Sequence, residues 1–93
     1  MRLNKNEVNI IKQIVTAYDK DAKVYLYGSR VDNQLKGGDI DLLIISPCFS
    51  FKNKLKIKAD LHHKLGEQKV DVLISKEVNS PFVQLVLETA ILL

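Results

Sequence analysis

Two aspartates, Asp39 and Asp41, bracket a single isoleucine at the head of the run Ile40 to Ile45, IDLLII, the most hydrophobic strand-like stretch of the chain. Successive side chains of a strand alternate sides, so acids at i and i+2 point the same way, where like charges repel. Ile40, Leu42 and Ile44 share one face, while Asp39, Asp41, Leu43 and Ile45 share the other. Only the first part of that second face is polar. A wet face on which two acids merely confer solubility is the plain alternative, since edge strands do carry charges.

The neighbouring segments read as a small mixture of helices and strands. Asn4 followed three residues later by Glu7 has the form of a helix start, and Val8, Ile11, Val15 and Tyr18 then recur at helical steps to about Ala17. Lys23 to Tyr27 is short, β-branched and aromatic and stops at Gly28, which predicts a strand. A turn or short helix is expected over Ser29 to Leu35, closed by Gly37 and Gly38. From Phe51 to about Glu67, Phe51, Leu55, Ala59, His62 and Leu65 fall on one helical arc, with Gly66 weakening its end. Lys69 to Ser75 predicts a third strand, with Val70, Val72 and Ile74 on one side and Asp71 and Leu73 on the other. Ser80 and Pro81 then open a final helix from about Phe82 to Ala90. The order predicts one α/β (α+β) domain over residues 1–93 with a small mixed sheet packed against helices.

Composition narrows the function classes. Fourteen basic and 11 acidic residues give a formal charge of +3, too weak a bias to argue for nucleic acid. The lysines at 52, 54, 56 and 58 look like a basic run, but helical geometry spreads them around the helix, which favours a solvated face. His62 and His63 lack the partners that a metal site needs. A lone Cys48 excludes an internal disulfide and fits a reducing compartment. No secretory signal follows Met1 and no apolar run is long enough to span a bilayer, so a soluble cytoplasmic protein without membrane contact is expected. So short a chain buries a modest core, which a partner, including a second copy, can complete.

The acids demand a cation. Asp71 interrupts an apolar strand in the same manner as Asp39 and Asp41, and carboxylates flanked by Val, Leu and Ile are costly unless something positive binds them. Mg²⁺ prefers oxygen ligands and shares its positions with waters and substrate phosphates. Two carboxylates from one face with a third from a neighbouring strand suit a pair of such ions about 3.5–4 Å apart, an arrangement for in-line displacement at phosphorus. Gly28 and Ser29 offer a phosphate cradle: a turn without a Cβ in the way, a hydroxyl, and N–H groups of a helical turn, with Arg30 adding a cation.

The pattern Gly-Ser, nine residues, Asp-x-Asp, met by Gly28, Ser29, Asp39 and Asp41 and followed by Asp71, resembles the nucleotidyltransferase superfamily that includes DNA polymerase β. Within it, LYGSRVDNQLKGGDIDLLIIS is similar to the minimal nucleotidyltransferases, and the resemblance covers nearly the whole chain. Many relatives have Gly where this chain has Asn33, and Ser where it has Gly38.

The resemblance implies transfer of a nucleoside monophosphate, most simply AMP from ATP, to a hydroxyl. Asp39 and Asp41 would hold two Mg²⁺ ions, Asp71 would ligand the ion serving the acceptor, and Gly28, Ser29 and Arg30 would position the β- and γ-phosphates. Lys36 is a weaker candidate for a phosphate contact. The resemblance further implies an all-helical HEPN-type partner, often a toxic ribonuclease, which the nucleotidyltransferase neutralises as antitoxin by modifying a tyrosine or by contact alone. The apolar end FVQLVLETAILL either closes the core or serves a partner surface.

Overall fold

The computed structural model describes residues 3–32, 38–66 and 68–93. Helix α1 (Lys5–Thr16) leads into strand β1 (Lys23–Tyr27), a 3₁₀ turn over Gly28–Val31 and strand β2 (Ile40–Ile45). Helix α2 (Phe51–Leu65), strand β3 (Val70–Ser75), helix α3 (Pro81–Leu87) and the two-residue strand β4 (Ile91–Leu92) follow. The sheet order is β3-β2-β1-β4. β1 runs antiparallel to β2 and β4, whereas β2 and β3 are parallel, with α2 as the crossover that parallel neighbours require. The result is the mixed α+β sheet that the alternation of elements predicted.

The starts of both long helices are written in their caps. Asn4 and Glu7 form a reciprocal capping box, the Glu7 amide donating to Asn4 Oδ1 at 2.7 Å and the Asn4 amide to Glu7 Oε1 at 3.0 Å. Ser50 and Asn53 repeat the device on α2, with Asn in the place that Glu or Gln usually takes. Gly66 ends α2 with φ +80°, and His62, His63 and Lys64 place basic side chains in its last turn, where the helix dipole favours them.

The core lies between the helices and the sheet face carrying Val24, Leu26, Ile40, Leu42, Ile44, Val70 and Val72. From α1 it takes Ile11 and Val15, and from α2 Ile57, Leu61 and Leu65. This corrects the expected apolar arc of α2. Phe51 and Leu55 are 71% and 53% exposed, and Ala59 and His62 also face outward; of the predicted arc only Leu65 is buried. Three aliphatic side chains at uniform steps of four bury more apolar area than a row that dwindles to alanine and histidine, so the Ile57 row turns inward.

The carboxy-terminal helix is also shorter than expected. It closes at Leu87, and after the Glu88–Ala90 turn the chain adds Ile91 and Leu92 to the free edge of β1, with the Leu93 amide donating to the Val24 carbonyl at 2.9 Å. Helix propensity in this segment is overridden by an unpaired strand edge within reach. Phe82 and Leu85 of α3 are exposed while Val83 is buried, so the apolar end both closes the fold and leaves apolar surface outside. Among the described residues, no helix is long and apolar enough to cross a membrane.

The reassigned face of α2 is directly testable. Leu61→Ala is expected to destabilise the chain by about 2–5 kcal/mol in urea unfolding, and Leu55→Ala to stay within about 0.5 kcal/mol of the parent.

Candidate active site

Strand register places the acids. Asp41 and Asp71 are direct partners in the parallel β2–β3 ladder, and Tyr27 is the partner of Asp41 in the antiparallel β1–β2 ladder. Residues paired across a ladder share a face, so Tyr27, Asp41 and Asp71 form a row over three strands on the side away from α1 and α2. Asp39 stands just before β2, one alternation ahead of Asp41 and on the same side. Farther along that face Leu43 is fully buried, so the polar character is confined to one end, as the sequence alternation indicated.

This crowding is visible in the electrostatics. Burial raises the Asp41 carboxyl above its ordinary value, and the charges of Asp71 and then Asp39 raise it further, with Lys69 partly opposing them. The Tyr27 hydroxyl is likewise raised, first by burial and then by Asp41 and Asp71. Asp39 lies 3.6 Å from Lys69 Nζ, and Asp71 lies 3.8 Å from Lys58 Nζ. Such solvent-exposed pairs are worth only about 0–1 kcal/mol, too little to compete with a divalent cation.

Gly28 and Asp41 are fitted to one another. Gly28 has φ +78°, and a Cβ built on it would run into Asp41 Oδ2. The glycine thus lets the strand-ending turn approach the carboxylate as well as supplying a backbone angle that other residues resist. Ser29 and Arg30 follow in the 3₁₀ turn. Gly38 has φ +90°, which accounts for glycine at that position, where a serine would be strained.

Arg30 is anchored. Its Nε donates to the Gly38 carbonyl at 3.3 Å and Nη2 donates to Gln68 Oε1 at 2.9 Å. Gln68 Nε2 donates to Glu7 Oε2 at 2.9 Å and to the Leu65 carbonyl at 3.2 Å. The capping acid of α1, the approach to β3, the 3₁₀ turn and the residue before Asp39 are therefore joined by one polar chain. Gln68, Lys69 and Tyr27 were not singled out by sequence, and Lys58 only as part of a basic run, although the alternation argument would have placed Tyr27 beside an acid once the β1–β2 register was known. Asn33 and Lys36 lie outside the described residues.

The sequence profile described as "Polymerase beta, Nucleotidyltransferase" matches residues 9–93. The chain belongs to the polymerase β nucleotidyltransferase family. No curated protein matches the chain closely enough to count as a relative. Membership carries the fold and a nucleotidyl-transfer type of function, and nucleotidyltransferases of this family generally use a nucleoside triphosphate and a divalent metal.

Whether a divalent cation suits these residues is a question of donor chemistry and geometry. Among the described residues, no group of three acidic, histidine or cysteine side chains stands assembled as a metal cage. The donors nevertheless fit a hard cation in kind: three carboxylates on one side of the sheet, two in direct register, and the central one disfavoured as an anion first by burial and then by the charges of the others. Lys69 and Lys58 stand beside Asp39 and Asp71, and a bound cation would replace them as partners.

Two outcomes follow. In Gly28→Ala the left-handed backbone alone is expected to cost about 1–2 kcal/mol in urea unfolding, and the Asp41 carboxylate must move away from the new methyl. Because ionising Asp41 is disfavoured in the fold, its favourable contribution is complete below the ordinary value of 3.8 and is lost as pH climbs through the raised, folded value. Asp41→Asn is therefore expected to melt higher than the parent at neutral pH, with the gap closing in acid below the ordinary carboxylate value.

Proposed function

We propose that this nucleotidyltransferase is Mg²⁺-dependent and transfers a nucleoside monophosphate, in the simplest case AMP from ATP, to a hydroxyl of a protein partner. The partner in this reading is a helical HEPN-type protein, the acceptor one of its tyrosines, and the chain its antitoxin in the cytoplasm. The observation that carries the reading is the parallel register that sets Asp71 beside Asp41 on the face shared with Asp39.

Each side chain has a part. Gly28 and Ser29 would cradle the β- and γ-phosphates at the turn following β1, and Arg30 would support that turn through Gly38 as much as through charge. Asp39 and Asp41 would hold both Mg²⁺ ions, with Asp71 holding the one nearer the acceptor. Bound there, the ions supply charge neutralisation for the triphosphate and polarise the acceptor oxygen. The acceptor oxygen forms a bond to the α-phosphorus, the bond from that phosphorus to the bridging oxygen breaks, and pyrophosphate departs with the electron pair. Asp71 accepts the acceptor's proton. Positioning and electrostatics, with no covalent intermediate on the protein, account for the rate.

A second reading has its own observation. Asp39 and Asp71 are paired with Lys69 and Lys58, an arrangement that a copy neutralising its partner by contact, without metal, would retain. Incubation with α-labelled ATP, Mg²⁺ and the product of the adjacent gene separates the two. Label is expected on the partner and to fall at least about a hundredfold in Asp39→Asn and in Asp41→Asn, the scale of losing a preorganised electrostatic group. Neutralisation that persists unlabelled in both variants selects contact alone.

A further inference from the structure

β3 is an edge strand, and no described strand pairs with its outer side. The Ile40 amide donates to the Lys69 carbonyl and the Ser46 amide to the Ser75 carbonyl, each at 2.9 Å, so odd-numbered residues turn their main-chain groups toward β2. Alternation then directs the N–H and C=O groups of Val70, Val72 and Ile74 outward. Two cavities flank this edge, both walled by α2. The larger, of about 430 Å³, lies at the start of β3 between Val70 and Leu55, Ala59 and His62. The smaller, of about 240 Å³, lies at its end between Ile74 and Phe51. The exposed apolar row of α2 is thus the second wall of a groove whose first wall is an unpaired strand.

Lysines line both cavities: Lys58 and Lys69 in the larger, Lys54 and Lys76 in the smaller. Lys58 and Lys69 are also the residues that pair with Asp71 and Asp39, so the groove borders the acid cluster.

We infer that the groove between β3 and α2 is a docking site for an extended, acidic polypeptide segment that adds a strand to β3 and sets two apolar side chains, four residues apart, into the two cavities. The spacing follows from the strand: Val70 and Ile74 are separated by roughly 13 Å at about 3.3 Å per residue, and residues i and i+4 of an added strand fall on one face. Outward main-chain donors and acceptors at strand spacing recognise a polypeptide backbone, which a polynucleotide does not reproduce. A second copy is disfavoured, because antiparallel pairing of two β3 edges brings Lys69 of one toward Lys76 of the other. The same lysines attract an acidic strand. The inference deepens the protein-acceptor reading above and rests on it for which segment is the natural occupant. Its test uses no nucleotide, so the two fail separately.

The probe is a fluorescein-labelled peptide alternating glutamate with leucine, valine and tyrosine, titrated with the full chain and followed by anisotropy. Saturable binding is expected, with protection of the Val70, Val72 and Ile74 amides from hydrogen exchange. Leu55→Asp and Lys58→Glu, both on the exposed side of α2, are each expected to weaken it about tenfold or more by placing a carboxylate in the apolar cavity or reversing a rim charge. Methylating the peptide amides that face β3 is expected to abolish binding without any change to the protein. Absence of binding, equal affinity in both variants, undiminished binding of the methylated peptide, or displacement by oligouridylate with protection unchanged would each overturn the inference.

Discussion

The parallel pairing of β2 with β3 is the constraint on which the rest of this molecule depends. A single-residue slip would move every side chain of β3 to the opposite face, taking Val70 and Val72 out of the core and Asp71 away from Asp41 together. The register is therefore enforced by the hydrophobic side of the sheet, where Ile40, Leu42 and Ile44 meet Val70, Val72 and Ile74 in order. The acids on the other side are carried into juxtaposition at an electrostatic penalty that they could not have sustained on their own. Apolar burial fixes the position; the raised Asp41 carboxyl, held there by burial and by its acidic neighbours, is the consequence.

How much of this could be read from the chain beforehand follows the range of the forces involved. The first helix was legible because its capping box and its Ile11–Val15 face are local. The three main strands were legible because period-two alternation is a property of five or six consecutive residues. The inward side of α2 was not: two rows of apolar residues compete on that helix, and the choice between them is made by the sheet and by α1. The strand β4 was likewise set by something distant in sequence, the vacant edge of β1. For the candidate site, the alternation placed Asp39 and Asp41 on one side, but their relation to Asp71 needed the crossover through α2.

The same distinction explains what sequence reasoning assigned to Arg30. Beside a Gly-Ser turn, an arginine reads naturally as a phosphate ligand, and its charge does stand near that turn. Its partners, Gly38 and Gln68, come from segments eight and 38 positions away, and only tertiary structure shows that the guanidinium also fastens the approach to β2 to the approach to β3. Gly28 is the converse case. Its role is short-range and steric, and the pairing of β1 with β2 turns that local permissiveness into a seat for the Asp41 carboxylate.

The polar chain from Arg30 through Gln68 to Glu7 makes the amino-terminal helix part of the scaffold of a site to which it contributes no proposed ligand. Glu7 serves two masters, closing the first turn of α1 with one oxygen and holding the Gln68 amide with the other. A change at any one of these three positions is accordingly felt at the others: an exchange at the helix cap takes from the Gln68 amide one of its two acceptors beside β3, leaving the Leu65 carbonyl to hold it alone.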